Sequence, residues 1–293
     1  MTGGAQCSAG HFLRQNLMLR SGLVGRSILA SRSPWLHEQE ARAQGLELTY
    51  ELFDFTARNL DDDQLGPLLR RLADNGYCGV NVTFPFKQAV IPLLDELAEC
   101  AASVGAVNAV AMRDGLLIGY NTDKTGFQDS LAEGLPGASL DRVLQLGAGG
   151  AGAAVANALL ASGAGVLEIL DVDPVRADQL ATRLNAHYGA GRAVPQDGAT
   201  LNTSAVRGIV NTTPMGMAAH PGMAIDSALI SSGHWAADIV YFPLETEFLR
   251  QARAKGCRTL DGSGMVIGQA AHAFGIFTGH VADKNRMRSS FSM

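Results

Sequence analysis

The stretch Asn81-Val82-Thr83-Phe84-Pro85-Phe86-Lys87 sets a cation just past the tip of an apolar strand. Proline donates no ladder hydrogen bond, so the strand ends near Pro85 and a helix follows. A lysine in the first turn of that helix opposes the helix dipole. Such a conflict between local rule and sequence is typical of functional positions; the plain alternative is a solvated helix lysine. Proton transfer would need a partner. Asn121-Thr122-Asp123 ends another apolar strand with an acid, whose plain alternative is the N-cap of the next helix. Both residues lie at strand ends, where open α/β sheets bind ligands. Spacing alone does not say whether they meet.

A second chemistry is written in Gly147-Ala148-Gly149-Gly150-Ala151-Gly152, between the apolar strand Val143 to Leu146 and an alanine-rich helix. This is the context of a dinucleotide fingerprint: the glycines allow a tight turn and bring backbone N–H groups to a pyrophosphate at the helix N-terminus. Asp171 ends the next apolar strand, 19 residues after Gly152. A carboxylate there accepts hydrogen bonds from ribose hydroxyls and repels a 2′-phosphate, so NAD is expected over NADP. The plain alternative is a glycine turn with Asp171 as a helix cap.

These residues need elements to hold them. Residues 22–123 alternate strands and helices, which predicts a mainly parallel sheet. Ser33 is expected to cap a helix with Pro34 at its first position, residues 86–105 to be helical, and Asp114-Gly115 to turn a strand pair. A second βα series runs to about residue 262, and an apolar helix beginning near Gly264 is expected to pack back on the first unit. The fold class is α/β with two domains. Residues 21–123, rejoined by 263–293, form a substrate-binding catalytic domain with a mainly parallel sheet, and residues 124–262 form a Rossmann-type dinucleotide-binding domain.

The length of 293 residues suits two domains, and 47% hydrophobic residues supply full cores. A net charge of −5 gives no reason to expect nucleic acid or an anionic membrane as partner. No apolar run reaches the ~18 residues of a membrane span. Cys7, Cys78, Cys100 and Cys257 form no CxxC or Cys/His cluster, so no metal or disulfide framework is expected, and the expected compartment is the reducing cytoplasm. Residues 1–20 read as a loose extension or misassigned start without a signal peptide. His220 and His272 read as structural, and Met217 and Met223 as packing residues.

The sequence resembles the shikimate dehydrogenases, and more closely their quinate/shikimate branch, from Gly22 to about Phe291. The resemblance is carried by SRSP (31–34), NVTFPFK (81–87), GAVNAV (105–110), NTD (121–123), GAGGAG (147–152), NTTPMGM (211–217), DIVYFPLETEFL (238–249) and GMVIGQAAHAF (264–274). It implies reversible oxidation of a ring hydroxyl, shikimate to 3-dehydroshikimate, with hydride transfer to NAD. By the same resemblance Ser31 and Ser33 hold the substrate carboxylate. Asn81, Thr83, Asn108, Gln269 and Tyr241 line the pocket, and Lys87 and Asp123 are the catalytic pair. Thr212, Pro214, Met215 and Met265 are implied along the cofactor. Members that use NADP carry an asparagine-arginine pair where this chain has Leu170-Asp171, a departure that agrees with the ribose argument. Arg176 is a candidate to stack on adenine through its planar guanidinium.

The chemistry suits these types. Loss of hydride from a carbinol carbon requires loss of the hydroxyl proton, which a neutral amine can take. A neighbouring carboxylate favours the ammonium form, so the two effects compete, and which group is the formal base stays open. Quinate, both ring acids or an amino-shikimate are alternative substrates; relatives that prefer quinate tend to carry threonine where Ser33 stands. A substrate sensor would be expected to lose Lys87 or Asp123, and both are present. A folate-type methylene dehydrogenase lacks the SxS, NTD and GQAAHAF signatures. The chain is expected to act as a monomer or homodimer.

Overall fold

The computed structural model describes residues 18–291. The expectation for residues 1–17 lies outside the described residues, and Leu19 and Arg20 already belong to the first strand. Two six-stranded sheets organise the chain. The first contains β1 (Leu19–Gly25), β2 (Leu48–Asp54), β3 (Gly79–Val82), β4 (Glu96–Leu97), β5 (Ala109–Arg113) and β6 (Leu116–Tyr120), in the order β2-β1-β3-β5-β6-β4. The pairs β1/β2, β1/β3 and β4/β6 are parallel, whereas β3/β5 and β5/β6 run antiparallel. The antiparallel pair arises at Asp114 and Gly115, both at positive φ, which turns the chain in two residues and forbids a helical crossover.

Helices α1 (Ser33–Ala43) and α2 (Leu65–Asp74) connect the early strands. Ser33 is the first helical residue of α1 and Arg32 its cap, one position from expectation. A separate 3₁₀ turn over Asp62–Gln64 is closed by a capping box between its cap, Asp61, and Gln64, so α2 starts at Leu65. Residues 86–105 are not one helix. They break into α3 (Phe86–Ala89), a 3₁₀ turn over Ile91–Leu93, strand β4 and α4 (Glu99–Val104). Pro92 has no N–H to continue the helical ladder. Asp95 then fixes the chain in extended form, with Arg70 bidentate at 2.7 Å and the Leu117 N–H donating at 2.7 Å.

From β6 the chain enters α5 (Thr122–Gly134) and the second sheet. This contains β7 (Arg142–Leu146), β8 (Val166–Leu170), β9 (Ala193–Pro195), β10 (Gly208–Asn211), β11 (Trp235–Asp238) and β12 (Arg258–Leu260), in the order β12-β11-β10-β7-β8-β9. All five pairings are parallel. The helices between them are α6 (Gly150–Ala161), α7 (Pro174–Tyr188) and α8 (Glu247–Ala254). This is doubly wound topology, with its switch point between β7 and β10. The chain closes with α9 (Ser263–Thr278) and α10 (Lys284–Phe291).

Helix α9 lies along α5 with almost no side chain between them. A Cβ on Gly126 would stand 2.6 Å from the Gln269 nitrogen and 2.8 Å from the Met265 oxygen, and one on Gly268 would stand 2.8 Å from the Gly126 Cα. Met265, Phe127, Ala106 and Ala148 share one buried apolar cluster, so the two sheets meet across α5 and α9. Helix α10 is clamped on α1 by Arg286, which donates at 2.7 and 2.8 Å to the buried Glu40 carboxylate.

Candidate functional site

Strand β3 ends at Val82. Thr83 stays tied to the sheet through its N–H to the Val24 carbonyl at 3.0 Å, and Pro85 caps α3. The short helix turns Lys87 toward the start of α5, where its Nζ donates to Asp123 Oδ2 at 2.6 Å. Asp123 is mostly covered and Lys87 about a third exposed, so the pair borders solvent. Asp123 is not the cap of α5. Asn121 caps it, accepting from the Lys124 N–H at 3.1 Å and donating to the Ala106 carbonyl at 2.9 Å. Asn108, buried, accepts from the Thr122 N–H at 2.7 Å. Two asparagines thus fix the turn that presents Asp123.

Ser31 and Ser33 lie together before and at the start of α1, with the Ser31 hydroxyl donating to Ser33 Oγ at 3.1 Å. Asn81 is held between two partners: its Oδ1 accepts from the Tyr50 hydroxyl at 2.8 Å, and its Nδ2 donates to the Asn108 carbonyl at 3.1 Å. Burial pushes the Tyr50 phenol far above the usual range, so the phenol keeps its proton. The His37 ring stacks on Tyr50 at 4.7 Å; burial pulls its pKa down to about 3, and its Nδ1 has no partner. Gln269 sits on α9 where that helix touches α5, three residues beyond Asp123 along α5. Tyr241 is about half exposed, in the loop after β11.

In the second sheet, Gly147 takes φ +100, a conformation that favours glycine, and a Cβ on Gly152 would fall 2.6 Å from the Gly147 oxygen. Positions Gly149 and Gly150 face open space at the N-terminus of the twelve-residue α6, with Ala151 in its first turn. The turn is braced by Gln145, whose Nε2 donates to the carbonyls of Gly147 and Gly152 at 2.8 and 2.9 Å, and by Thr212, whose hydroxyl bonds the Leu146 and Gly147 carbonyls. Asp171 accepts from the Ala148 N–H at 2.6 Å and the Asp173 N–H at 2.9 Å. It is not the cap of α7; Asp173 is, accepting from the Val175 N–H. One lone pair on each Asp171 oxygen remains for a ribose diol. The open glycine turn, the helix N-terminus and this carboxylate fit a dinucleotide.

Arg176 is exposed in the first turn of α7, with Asp173 at 3.4 Å. Pro214 is exposed and Met215 half-buried in a loop pinned by Asp238. The Asp238 carboxylate takes bonds from Asn211 Nδ2 at 3.0 Å and the Thr246 hydroxyl at 2.7 Å; burial lifts its pKa to about 6 against these bonds and that of the Val240 N–H. Met265 is buried. Met217 is exposed, not packed, while Met223 joins a core cluster. His272 Nε2 donates to Asp129 Oδ2, 2.8 Å away, and His220 is exposed. Among the described residues no group of three His, Cys, Asp or Glu side chains could hold a metal ion, and no helix is long and apolar enough to cross a membrane.

Sequence reasoning missed Tyr50, His37, Gln145 and Asp238. Tyr50 was legible only as an inward strand residue, and Asp238 only as a polar break in an apolar run. The Gly264-x-x-x-Gly268 spacing was a signal of the close helix contact that the sequence reading did not use.

Residues 23–110 match the profile described as "Shikimate dehydrogenase substrate binding domain", and residues 262–290 that described as "Shikimate 5'-dehydrogenase C-terminal domain". A shikimate dehydrogenase (NADP(+)) of Streptomyces avermitilis is 52% identical over 91% of this chain and 92% of its own. A quinate/shikimate dehydrogenase (NAD(+)) of Corynebacterium efficiens is 46% identical over 92% and 96%. Among solved structures, quinate dehydrogenase from Corynebacterium glutamicum in complex with NAD superposes with a TM-score of 0.90 at 45% identity, over 94% of this chain and 99% of that one. With identity of this extent along both domains of the fold, the chain belongs to the shikimate dehydrogenase family.

Proposed function

We propose that this protein is a dehydrogenase of hydroxylated ring acids, reversibly oxidising shikimate to 3-dehydroshikimate, with NAD as the preferred acceptor. The observation that carries the reading is the Lys87–Asp123 contact of 2.6 Å, between α3, which follows β3, and the start of α5, which follows β6. Ser31 and Ser33 supply neutral donors for a carboxylate, and Asn81, Asn108, Thr83, Gln269 and Tyr241 are assigned to the ring. When bound, the dinucleotide supplies the hydride acceptor; Gly147–Gly152 and the α6 N-terminus would hold its pyrophosphate, Asp171 its ribose, and Arg176, Thr212, Pro214, Met215 and Met265 its remaining length. The Lys87–Asp123 pair takes the hydroxyl proton as the carbinol carbon becomes a carbonyl, and returns it in reverse. A proton taken by Lys87 passes to Asp123 or solvent without a long path, because the two already share a hydrogen bond. Residues 21–123 with 263–293 act as the substrate domain, and 124–262 as the dinucleotide domain.

The preference for NAD rests on Asp171, whose charge opposes a 2′-phosphate. Quinate is the second reading, supported by the likeness to the quinate dehydrogenase structure. Absorbance of the reduced dinucleotide, followed with shikimate or quinate against NAD or NADP, tests all of it. Turnover of shikimate with NAD is expected. No turnover with any pair overturns the enzyme reading, faster turnover with NADP overturns the Asp171 argument, and faster turnover of quinate reverses the substrate order.

A further inference from the structure

Resting on that reading, we propose that Asp54 is a positioning residue: its carboxylate anchors the loop that carries Ser31, and so fixes where the carboxylate of the ring acid is held relative to Lys87 and Asp123. The loop, residues 26–32, leaves β1 and enters α1. Strand β1 lies between β2 and β3, so the loop emerges flanked by the ends of both. On the β3 side the Arg26 N–H donates to the Phe84 carbonyl at 3.0 Å, three residues before Lys87. On the β2 side stands Asp54, buried, the last residue of that strand. Its Oδ2 accepts from the Ile28 N–H at 2.7 Å, and its Oδ1 from the N–H groups of Ser27, Thr56 and Ala57 at 3.0, 2.9 and 3.2 Å. The Ile28 carbonyl then accepts from the Ser31 N–H at 2.9 Å, and the Ser31 hydroxyl donates to Ser33 Oγ at 3.1 Å. The path from Asp54 to the serine pair thus passes through Ile28.

A carboxylate suits this place. The turns at the ends of β1 and β2 offer N–H groups that no strand or helix pairs. An ionised carboxylate accepts at both oxygens and donates at neither, so it can collect all four. Ser27 needs the anchor most: it sits at φ +55, which a serine rarely adopts, and its N–H is one of the four. Helix α1 is held independently, through Glu40 and Arg286. The Asp54 bonds therefore govern the loop and Ser31, and leave the helix that starts at Ser33 in place. The glycine turn of the dinucleotide site follows β7, on the other sheet.

Asp54→Asn keeps the shape of the side chain and replaces one oxygen by NH₂. The remaining oxygen serves the three N–H groups at the Oδ1 position, which sets the NH₂ against the Ile28 N–H, donor to donor. Steady-state kinetics on this variant are expected to show kcat/KM for the ring acid falling about ten-fold or more, mainly through KM, while the dinucleotide KM stays within about two-fold of wild type. In a Ser31→Ala background the same substitution should cost less than about two-fold, because the hydroxyl it acts through is already gone. A purely structural role would raise both Michaelis constants together or cost the same factor in both backgrounds. Either result overturns the proposal, as does an Asp54→Asn enzyme within about two-fold of wild type. A wild type inactive on every ring acid fails the functional reading instead. In that case, or if Asp54→Asn does not fold, amide hydrogen exchange of the wild type decides whether the anchor holds. The Ser27 and Ile28 N–H groups should exchange about 10²-fold or more slowly than that of the exposed Leu29, and exchange at the Leu29 rate refutes it.

Discussion

Substituting His37 by leucine tests whether the ring beneath Tyr50 is carried neutral. His37 is 2% exposed. It is enclosed by Tyr50 at 4.7 Å, Phe274 at 6.1 Å and Phe277 at 6.3 Å, none of which can stabilise a cation through a hydrogen bond to Nδ1. Burial lowers its pKa from 6.5 to about 3. Between these values the unfolded chain binds a proton that the folded chain refuses, so the stability present above the unfolded pKa is lost as pH falls. The slope is about 1.4 kcal/mol per pH unit, which at about pH 4.5 amounts to roughly 2.7 kcal/mol. Asp238 acts with the opposite sign: its raised pKa of about 6 means that the folded form takes up a proton sooner than the unfolded chain as pH falls, and this partly masks His37 in the wild type. The masking cancels in a difference. Urea unfolding of wild type and His37→Leu at about pH 7 and pH 4.5 should show the stability gap move by roughly 2.7 kcal/mol in favour of the variant. A gap constant to within about 0.5 kcal/mol would refute the reasoning, because a packing change alone has no pH dependence.

Lys87→Met is expected to lower kcat by about 10²–10⁴ with the dinucleotide KM retained, and a rise in substrate KM alone would make Lys87 a binding residue. Asp171→Ala removes the acceptor of the Ala148 N–H and the charge facing the ribose; the ratio of kcat/KM for NAD over NADP should fall by about ten-fold or more, measured by reduced-dinucleotide absorbance. Gly126→Ala would drive a methyl to 2.6 Å of the Gln269 nitrogen, so chemical denaturation should show a loss of about 1–3 kcal/mol, with kcat falling as Asp123 and Gln269 shift; an unaltered midpoint would mean the helices separate freely.

The parts of the site legible in sequence were those whose chemistry is local. The glycine turn was readable because strand, turn and helix follow one another and Gly147 and Gly152 are demanded by backbone geometry. Lys87 was readable because it breaks a local rule. Tyr50 was not, since nothing in Leu48–Asp54 distinguishes a tyrosine that packs from one whose hydroxyl crosses a strand to Asn81; that depends on β1 lying between β2 and β3, a fact of topology. The same limit explains residues 86–105. Their apolar spacing is helical, but Pro92 and the Asp95 anchor to Arg70 and Leu117 override it, and Arg70 is distant in sequence.

Helices α5 and α9 show how a global feature can still leave a local mark. Gly264 and Gly268 lie four apart, so they share one face of α9, and that face meets Gly126 and Ser130, four apart on α5. A Cβ on Gly264 would come within 2.1 Å of the Ser130 Oγ, and one on Gly268 within 2.9 Å of the Gly126 oxygen. Such an approach brings backbone against backbone, which leaves little freedom for one helix to slide on the other. Asp123 stands near the start of α5 and Gln269 directly beside the contact on α9. A residue from the last tenth of the chain is thereby held against the turn that carries the acid of the candidate pair. The return of α9 to the first sheet is thus a condition for the candidate site, because without it Gln269 has no fixed relation to Asp123.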